Sequence, residues 1–132
     1  MSVHRWAEHT GELQLEIEAD SEAGVFAEGF RAMRDLLDGE APAAGGTMRD
    51  VALAARDAGA LLADWLGELA VLAEQGLLPQ RLASLELRGS KLYATVECRL
   101  AEAPHLVKAA TYHRLLLQQD GERWRARVVL DV

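Results

Sequence analysis

The chain has 132 residues, of which 50% are hydrophobic and 27% are charged, a composition typical of a globular protein and not of a disordered or fibrous one. Its formal charge of −7 argues against a general phosphate-binding surface, although Arg123, Arg125 and Arg127 form a local basic stripe. The single cysteine, Cys98, excludes an internal disulfide, and its place in an alternating segment predicts a small buried side chain.

The beginning of the chain and the lengths of its apolar runs predict where the protein resides. Charged and polar residues follow Met1 at once, which is unlike a secretory signal peptide. No apolar run approaches the roughly 20 residues that a membrane-spanning helix needs. We therefore expect one cytoplasmic domain, residues 1–132, with no membrane partner.

The first half of the chain shows alternating strand and helix patterns. Residues 3–12 are polar and are predicted to be irregular, whereas residues 13–18 alternate apolar and polar side chains as a half-buried strand does. An amphipathic helix is predicted from Asp20-Ser21 to about Asp38, with Gly29 on its apolar side. The predictions that follow are a flexible connector at residues 39–46, a weak strand at 47–55, and a second helix from the N-cap Asp57 to Gly76.

The second half is predicted to be β-structure. A hairpin turns at residues 88–91, between a strand that begins near Leu82 and an alternating strand at 92–100. After a loop at residues 101–108, a closing hairpin joins residues 111–118 to residues 124–132 through Asp120-Gly121. This order of elements favours an α+β fold in which two helices pack against a largely antiparallel sheet.

Several familiar catalytic patterns are missing from the sequence. It has no glycine-rich phosphate loop, no Gly-x-Ser-x-Gly elbow and no His-Glu-x-x-His segment. A thiol inside a strand lacks the exposed, electropositive setting that a Cys98 nucleophile would need. A hydrolase built on His9 or His113 stays open, but nothing positions a nucleophile or a second acid for it.

Oxygen donors are the chemical groups that remain. Glu12 precedes a predicted strand, Asp131 lies near the end of another, and Val132 ends the sequence with an α-carboxylate. Three hard oxygen donors suit Ca²⁺ or Mg²⁺ better than Zn²⁺. Residue types alone favour the simpler interpretation, in which Glu12 and Asp131 are solvated strand-end acids, Val132 packs, and Lys108 is a solvated loop lysine.

Four segments resemble the archease family, whose members activate the RNA ligase of tRNA splicing and RNA repair. Residues 9–12 (His-Thr-Gly-Glu) resemble the family's His-Thr-Ala-Asp opening, and residues 61–69 resemble its Trp-Leu-Asn-Glu-Leu helix. Residues 108–113 (Lys-Ala-Ala-Thr-Tyr-His) and 124–132 resemble its C-terminal half, down to the final Asp and aliphatic residue. The resemblance extends over essentially the whole chain and implies an archease-like α+β fold.

The resemblance also implies a function and a set of residues. It implies a non-enzymatic cofactor that promotes GTP-dependent guanylylation of the ligase and its multiple turnover, with GTP bound by the ligase and RNA contacted only indirectly. The implied metal site comprises Glu12, Asp131 and Val132, for Ca²⁺ or for Mg²⁺ or Mn²⁺. The implied contacts with the ligase or its nucleotide come from Lys108, His9, Tyr112 and His113.

Two positions depart from the family pattern, and two other classes of protein stay open. Glu12 stands where the family usually has Asp, so that either the site is wider, which Ca²⁺ accommodates better than Mg²⁺, or the metal binds more weakly. Gly67 stands where it usually has Asn, so any role of that amide is lost. A general chaperone would use a partly exposed stripe that includes Phe26, Phe30 and Trp65. A metal-dependent phosphoester hydrolase would use the same acids.

Overall fold

The structure is a computed structural model that describes residues 1–37, 46–105 and 107–132, and only the backbone of His9. The predicted flexible connector lies almost entirely outside the described residues, as does Asp38 at the predicted helix end. The elements in chain order are β1 (Val3–His9), β2 (Glu12–Ala19), α1 (Glu22–Leu37), β3 (Thr47–Ala54), α2 (Ala58–Glu74), β4 (Leu77–Arg88), β5 (Lys91–Leu100), β6 (Ala109–Asp120) and β7 (Arg123–Asp131).

The strands form two antiparallel sheets, one in the order β1-β2-β7-β6 and one in the order β3-β5-β4. Both helices pack against strands of both sheets and against each other. The prediction of an α+β fold with two helices on antiparallel β-structure is therefore confirmed, with the β-structure divided between two sheets. No helix among the described residues is long and apolar enough to cross a lipid bilayer.

The core lies between the helices and the inner faces of the sheets. Trp65 of α2 is fully buried, stacks on Phe30 of α1 at 6.3 Å between ring centroids, and donates from its indole nitrogen to the carbonyl oxygen of Phe26 at 3.1 Å. Gly29 lets the helices approach, because a Cβ there would lie 3.0 Å from a methyl carbon of Leu66. A general chaperone was expected to use a partly exposed stripe containing Phe26, Phe30 and Trp65. All three residues are buried, so that expectation is wrong.

The predicted start of α1 and both predicted ends of α2 agree with the structure. The hydroxyl of Ser21 accepts from the backbone N–H of Gly24 at the start of α1. The carboxylate of Asp57 accepts from the N–H of Ala60 at 2.8 Å, and Gly76 follows α2 with φ +83°. Each of these residues satisfies backbone groups that a helix end leaves without intrahelical partners.

Strand β1 contradicts the prediction that residues 3–12 are irregular. It pairs with residues Glu12 to Glu18 of β2 and is joined to that strand by a turn at Thr10-Gly11, where Gly11 has φ +72°. Polar side chains lie on both of its faces, so no alternation marks it in the sequence. One of these polar side chains, His4, faces the inner side and forms a hydrogen bond with the buried carboxylate of Glu28.

The remaining strands differ from prediction mainly at their ends. Strand β4 begins at Leu77 rather than near Leu82, and Pro79 is accommodated at a break in its register with β5. The β4–β5 turn is confirmed at Gly89 and Ser90. The turn between β6 and β7 consists of Gly121 and Glu122, one residue later than predicted.

Candidate functional site

Three of the predicted site residues come together at one end of the four-stranded sheet. Glu12 begins β2 and Asp131 ends β7, and these two residues are directly opposite each other in the antiparallel register. The backbone N–H of Val132 donates to the carbonyl oxygen of Gly11 at 3.3 Å, which holds Val132 against the β1–β2 turn. We call this end of the sheet, comprising Glu12, Asp131 and Val132, the carboxylate tip.

Register places both acidic side chains on the same face. Directly opposed residues in an antiparallel pair project to one side, with Cβ atoms about 4.5–5.5 Å apart. The intervening neighbours Leu13 and Leu130 face the core, so Glu12 and Asp131 face outward, away from the helices. Neither carboxylate forms a hydrogen bond or an ion pair within the part of the chain that the structure describes. Two like charges directly opposite each other normally destabilise a sheet.

The loop before β6 brings Lys108 to the same end. Its backbone N–H donates to the carbonyl oxygen of Asp131 at 2.9 Å, and Ala109 then pairs with Asp131 in register. The Lys108 side chain is exposed and has no partner among the described residues. On the other side, the backbone of His9 pairs with Glu12. The predicted lysine and opening motif are thus both beside the carboxylate tip.

A neighbouring side chain that the sequence did not single out also belongs to this region. Gln14 follows Glu12 on the outward face of β2, opposite the buried Val129. Its side-chain oxygen is buried and has no hydrogen-bond partner among the described residues. The sequence alone cannot indicate that this oxygen is buried, because its exposure depends on which strands lie beside β2.

The carboxylates of Glu12 and Asp131 suit a hard divalent cation, provided that a third oxygen ligand is close by. No three His, Cys, Asp or Glu side chains come close enough to hold an ion in the described ranges 1–37, 46–105 and 107–132. The two carboxylates of Glu12 and Asp131 therefore need a third oxygen, which the α-carboxylate of Val132 or the amide oxygen of Gln14 can supply. All of these are the oxygen ligands that Ca²⁺ accepts.

Tyr112 and His113 lie further along β6 and not at the tip itself. The Tyr112 hydroxyl donates to the carboxylate of Asp64 on α2, and the guanidinium of Arg56 lies 5.3 Å from the centroid of its ring. The hydrogen bond to Asp64 raises the pKa of Tyr112. Tyr112 is 48% exposed and His113 is exposed too, so both are available to a partner.

The thiol of Cys98 is confirmed as a buried group. Its side chain has no exposed surface, and burial raises its pKa, so the reactive thiolate is disfavoured. Cys98 is therefore not an accessible nucleophile.

Comparison with known proteins gives a consistent family match. The model of the archease protein family matches residues 4–132. A protein archease of Methanosarcina acetivorans is 28% identical over 139 residues, covering 98% of this chain and 95% of that protein. A protein archease of Methanosarcina barkeri is 26% identical over 143 residues with the same coverage of each chain.

Two solved structures share the fold. The crystal structure of a Thermotoga maritima protein, described as an archease and possible chaperone, superposes with a TM-score of 0.70 at 22% identity, covering 96% of this chain and 94% of that one. The solution structure of a Methanobacterium thermoautotrophicum protein gives a TM-score of 0.71 at 22% identity, covering 98% of each chain.

Proposed function

This chain belongs to the archease family, and on that premise we propose that it is a non-enzymatic protein cofactor of an RNA ligase of the tRNA-splicing or RNA-repair type. In this role it promotes the GTP-dependent guanylylation of the ligase and allows repeated turnover. The ligase binds the GTP, and the chain meets RNA only through the ligase. The carboxylate tip is the part that docks at the ligase's nucleotide-binding cleft.

One observation carries this proposal: two like-charged carboxylates, Glu12 and Asp131, are directly opposite each other and have no ion-pair partner among the described residues. Such an arrangement costs stability unless a cation compensates it. Glu12, Asp131 and the α-carboxylate of Val132 would hold Ca²⁺, or Mg²⁺ or Mn²⁺, and the oxygen of Gln14 is a further candidate ligand. Bound there, a divalent cation offsets the negative charge of nucleotide phosphates.

Further support comes from the residues around the tip. Lys108 is exposed and held beside Asp131 through its backbone, so its ammonium group is available to a phosphate or to an acidic side chain of the ligase. His9 precedes the β1–β2 turn. Tyr112 and His113 lie on β6, the edge strand that begins directly after Lys108. These residues contact the ligase or its nucleotide in the proposed complex.

The general chaperone is the weaker candidate. Phe26, Phe30 and Trp65 have no more than 2% of their surface exposed, so they offer no apolar surface to an unfolded protein. A chaperone would suppress aggregation of unrelated proteins, whereas the proposed cofactor acts only with its ligase. A hydrolase would turn over a phosphoester without any partner.

Guanylylation of the ligase by GTP tests the proposal directly. Asp131→Ala removes one carboxylate, and a glycine added after Val132 moves the α-carboxylate away from Gly11. We expect both variants to lose most of the activation, whereas Asp120→Ala, which removes an exposed acid at the other end of the β6–β7 hairpin, keeps it. Normal activation by both tip variants would refute the proposed role of the tip.

A further inference from the structure

Strand β6 contains a large irregularity beyond the carboxylate tip. Its pairing with β7 is regular at Thr111–Val129 and again at Leu116–Arg127. Between these pairs, the four residues 112–115 of β6 lie opposite Val128 alone. A usual bulge inserts a single extra residue. We call residues 112–115 the β6 bulge.

The backbone of the β6 bulge is strained at Arg114. Its φ is +53°, and no other non-glycine residue among those described has a positive φ. A residue with a Cβ rarely adopts this conformation, which persists only where the surrounding structure enforces it. Strain of this kind is concentrated at functional sites.

Contacts from three directions hold the bulge in place. The Nε of Arg127 on β7 donates to the carbonyl oxygen of Arg114 at 2.8 Å. The hydroxyl of Thr111 donates to the carbonyl oxygen of Val129 at 2.9 Å and accepts from the backbone N–H of His113 at 3.3 Å. From α2, Asp64 accepts the hydrogen bond of the Tyr112 hydroxyl. The bulge is thus a built feature and not a frayed strand end.

The side chains that the bulge presents are suited to a protein partner. Tyr112, His113 and Arg114 are all exposed, and the side chains of His113 and Arg114 have no partner in the described part of the chain. Tyrosine and arginine are among the residue types that are enriched where binding energy is concentrated at protein interfaces. The bulge therefore offers a cationic and aromatic surface on a chain whose net charge is −7.

We propose that the β6 bulge is a second contact surface for the ligase partner, and that it binds an acidic patch beside the cleft that receives the carboxylate tip. This inference rests on the proposed function and names a further part of the same interface. Tyr112 and Arg114 make the contact, whereas Arg127 and Asp64 are positioning residues that hold the bulge. Because β6 begins beside Lys108, the two surfaces are continuous along one edge strand.

The carboxylate tip and the β6 bulge differ in charge, and this difference determines the orientation in which the chain binds the ligase. The three carboxylates of the tip outweigh the charge of one bound divalent cation, and the bulge presents the guanidinium of Arg114, so only one orientation of the chain on the ligase matches both. Charge patterns of this kind set orientation and association rate more than affinity. Association with the ligase should therefore slow as salt concentration rises, because salt screens exposed charges.

Arg114→Gly is the sharpest test, because it separates binding from folding. Glycine adopts positive φ without strain, so the variant keeps the bulge and should melt at the same or a higher temperature than the unsubstituted chain. The partner-contacting guanidinium is lost, so we expect the dissociation constant for the ligase to rise about five- to tenfold, the effect of a contributing interface residue that falls short of a hot spot. Arg88→Ala removes an exposed arginine at the β4–β5 turn and serves as the matched control, with binding unchanged.

A second pair of variants tests the positioning residues. Asp64→Ala should weaken binding of the ligase, and Asp64→Asn, which keeps a hydrogen-bond acceptor for Tyr112, should restore most of it. A purely structural role predicts instead that binding follows melting temperature, so that Arg114→Gly binds as well as or better than the unsubstituted chain. That result would overturn the inference.

The unsubstituted chain separates this inference from the proposed function. If it fails to bind the ligase or to raise guanylylation, the proposed function itself is wrong. If it does both and Arg114→Gly binds equally well, the role of the β6 bulge is wrong and that of the carboxylate tip stands.

Discussion

At the scale of single residues, Glu28 shows how a buried charge is accommodated. The residue is 6% exposed, and its carboxylate accepts hydrogen bonds from the hydroxyl of Ser2 at 2.7 Å, from Nδ1 of His4 at 2.5 Å and from Arg31 at 2.7 Å. Burial by itself raises the pKa of Glu28, but the hydrogen bonds and the charge of Arg31 outweigh it, so the pKa is lowered below its usual value. The cluster ties β1 to α1.

The lowered pKa gives a prediction for stability. A carboxyl group with a lower pKa in the folded state stabilises the protein above its unfolded pKa, and this contribution disappears as pH falls through the folded value. Glu28→Gln should therefore lower the free energy of unfolding at pH 7 by about 2 kcal/mol, since it removes the charge from three donors. The free energy of unfolding of this variant should also fall less steeply as the pH drops below 4.5, the ordinary pKa of a glutamate.

Urea unfolding at pH 7 and pH 3.5 measures both effects. Asp35→Asn is the matched control, because Asp35 is an exposed carboxylate on the same helix. A variant at Glu28 that retains the full acid-side loss of stability would show that another group is responsible.

At the scale of the elements, two helical glycines that look equivalent in the sequence differ in their surroundings. Gly29 of α1 faces Leu66, Ile17 and Leu62, and an added Cβ would lie 3.0 Å from the first of them. Gly67 of α2 faces Ala110 of β6, where an added Cβ would be 3.9 Å from the alanine Cβ, an ordinary contact distance. The first glycine serves helix packing, and the second does not need to be glycine.

Gly67→Ala should therefore stabilise the protein by about 0.5–1 kcal/mol, because alanine has the higher helix propensity and meets no obstacle. Gly29→Ala should gain less than Gly67→Ala or lose stability, since Leu66 must move to admit the methyl group. Thermal unfolding followed by circular dichroism compares the two variants. Equal stabilisation at both positions would contradict the packing argument.

At the scale of the whole molecule, strands distant in sequence build the carboxylate tip, and a cation bound there should stabilise the fold. A ligand that binds only the folded state adds about 2.7 kcal/mol at a free concentration 100-fold above its dissociation constant. We therefore expect Ca²⁺ to raise the melting temperature by several degrees and a chelator to reverse the rise.

Scanning calorimetry with and without Ca²⁺ measures this shift, which requires no ligase. Asp131→Asn should abolish the shift, whereas Asp120→Asn, at the far end of the same hairpin, should keep it. An identical Ca²⁺ response in both variants would place the ion elsewhere on the chain.

The sequence by itself determined the two helices and most of the strands. Apolar spacing around Trp65, the caps Ser21 and Asp57, and the turns at Gly89 and Gly121 all follow local rules that the tertiary structure obeys. Resemblance to a known family selected Glu12, Asp131 and Lys108, which residue types alone left as ordinary surface groups.

Only the tertiary structure decided which of these residues meet. The edge strand β1 has no apolar alternation, and it forms because β2 and the Glu28 cluster hold it. The opposition of Glu12 and Asp131 is set by strand register, and the β6 bulge by contacts from Arg127 and α2. Pairings between residues more than 100 positions apart leave no local pattern, because each strand satisfies its own periodicity whatever lies beside it.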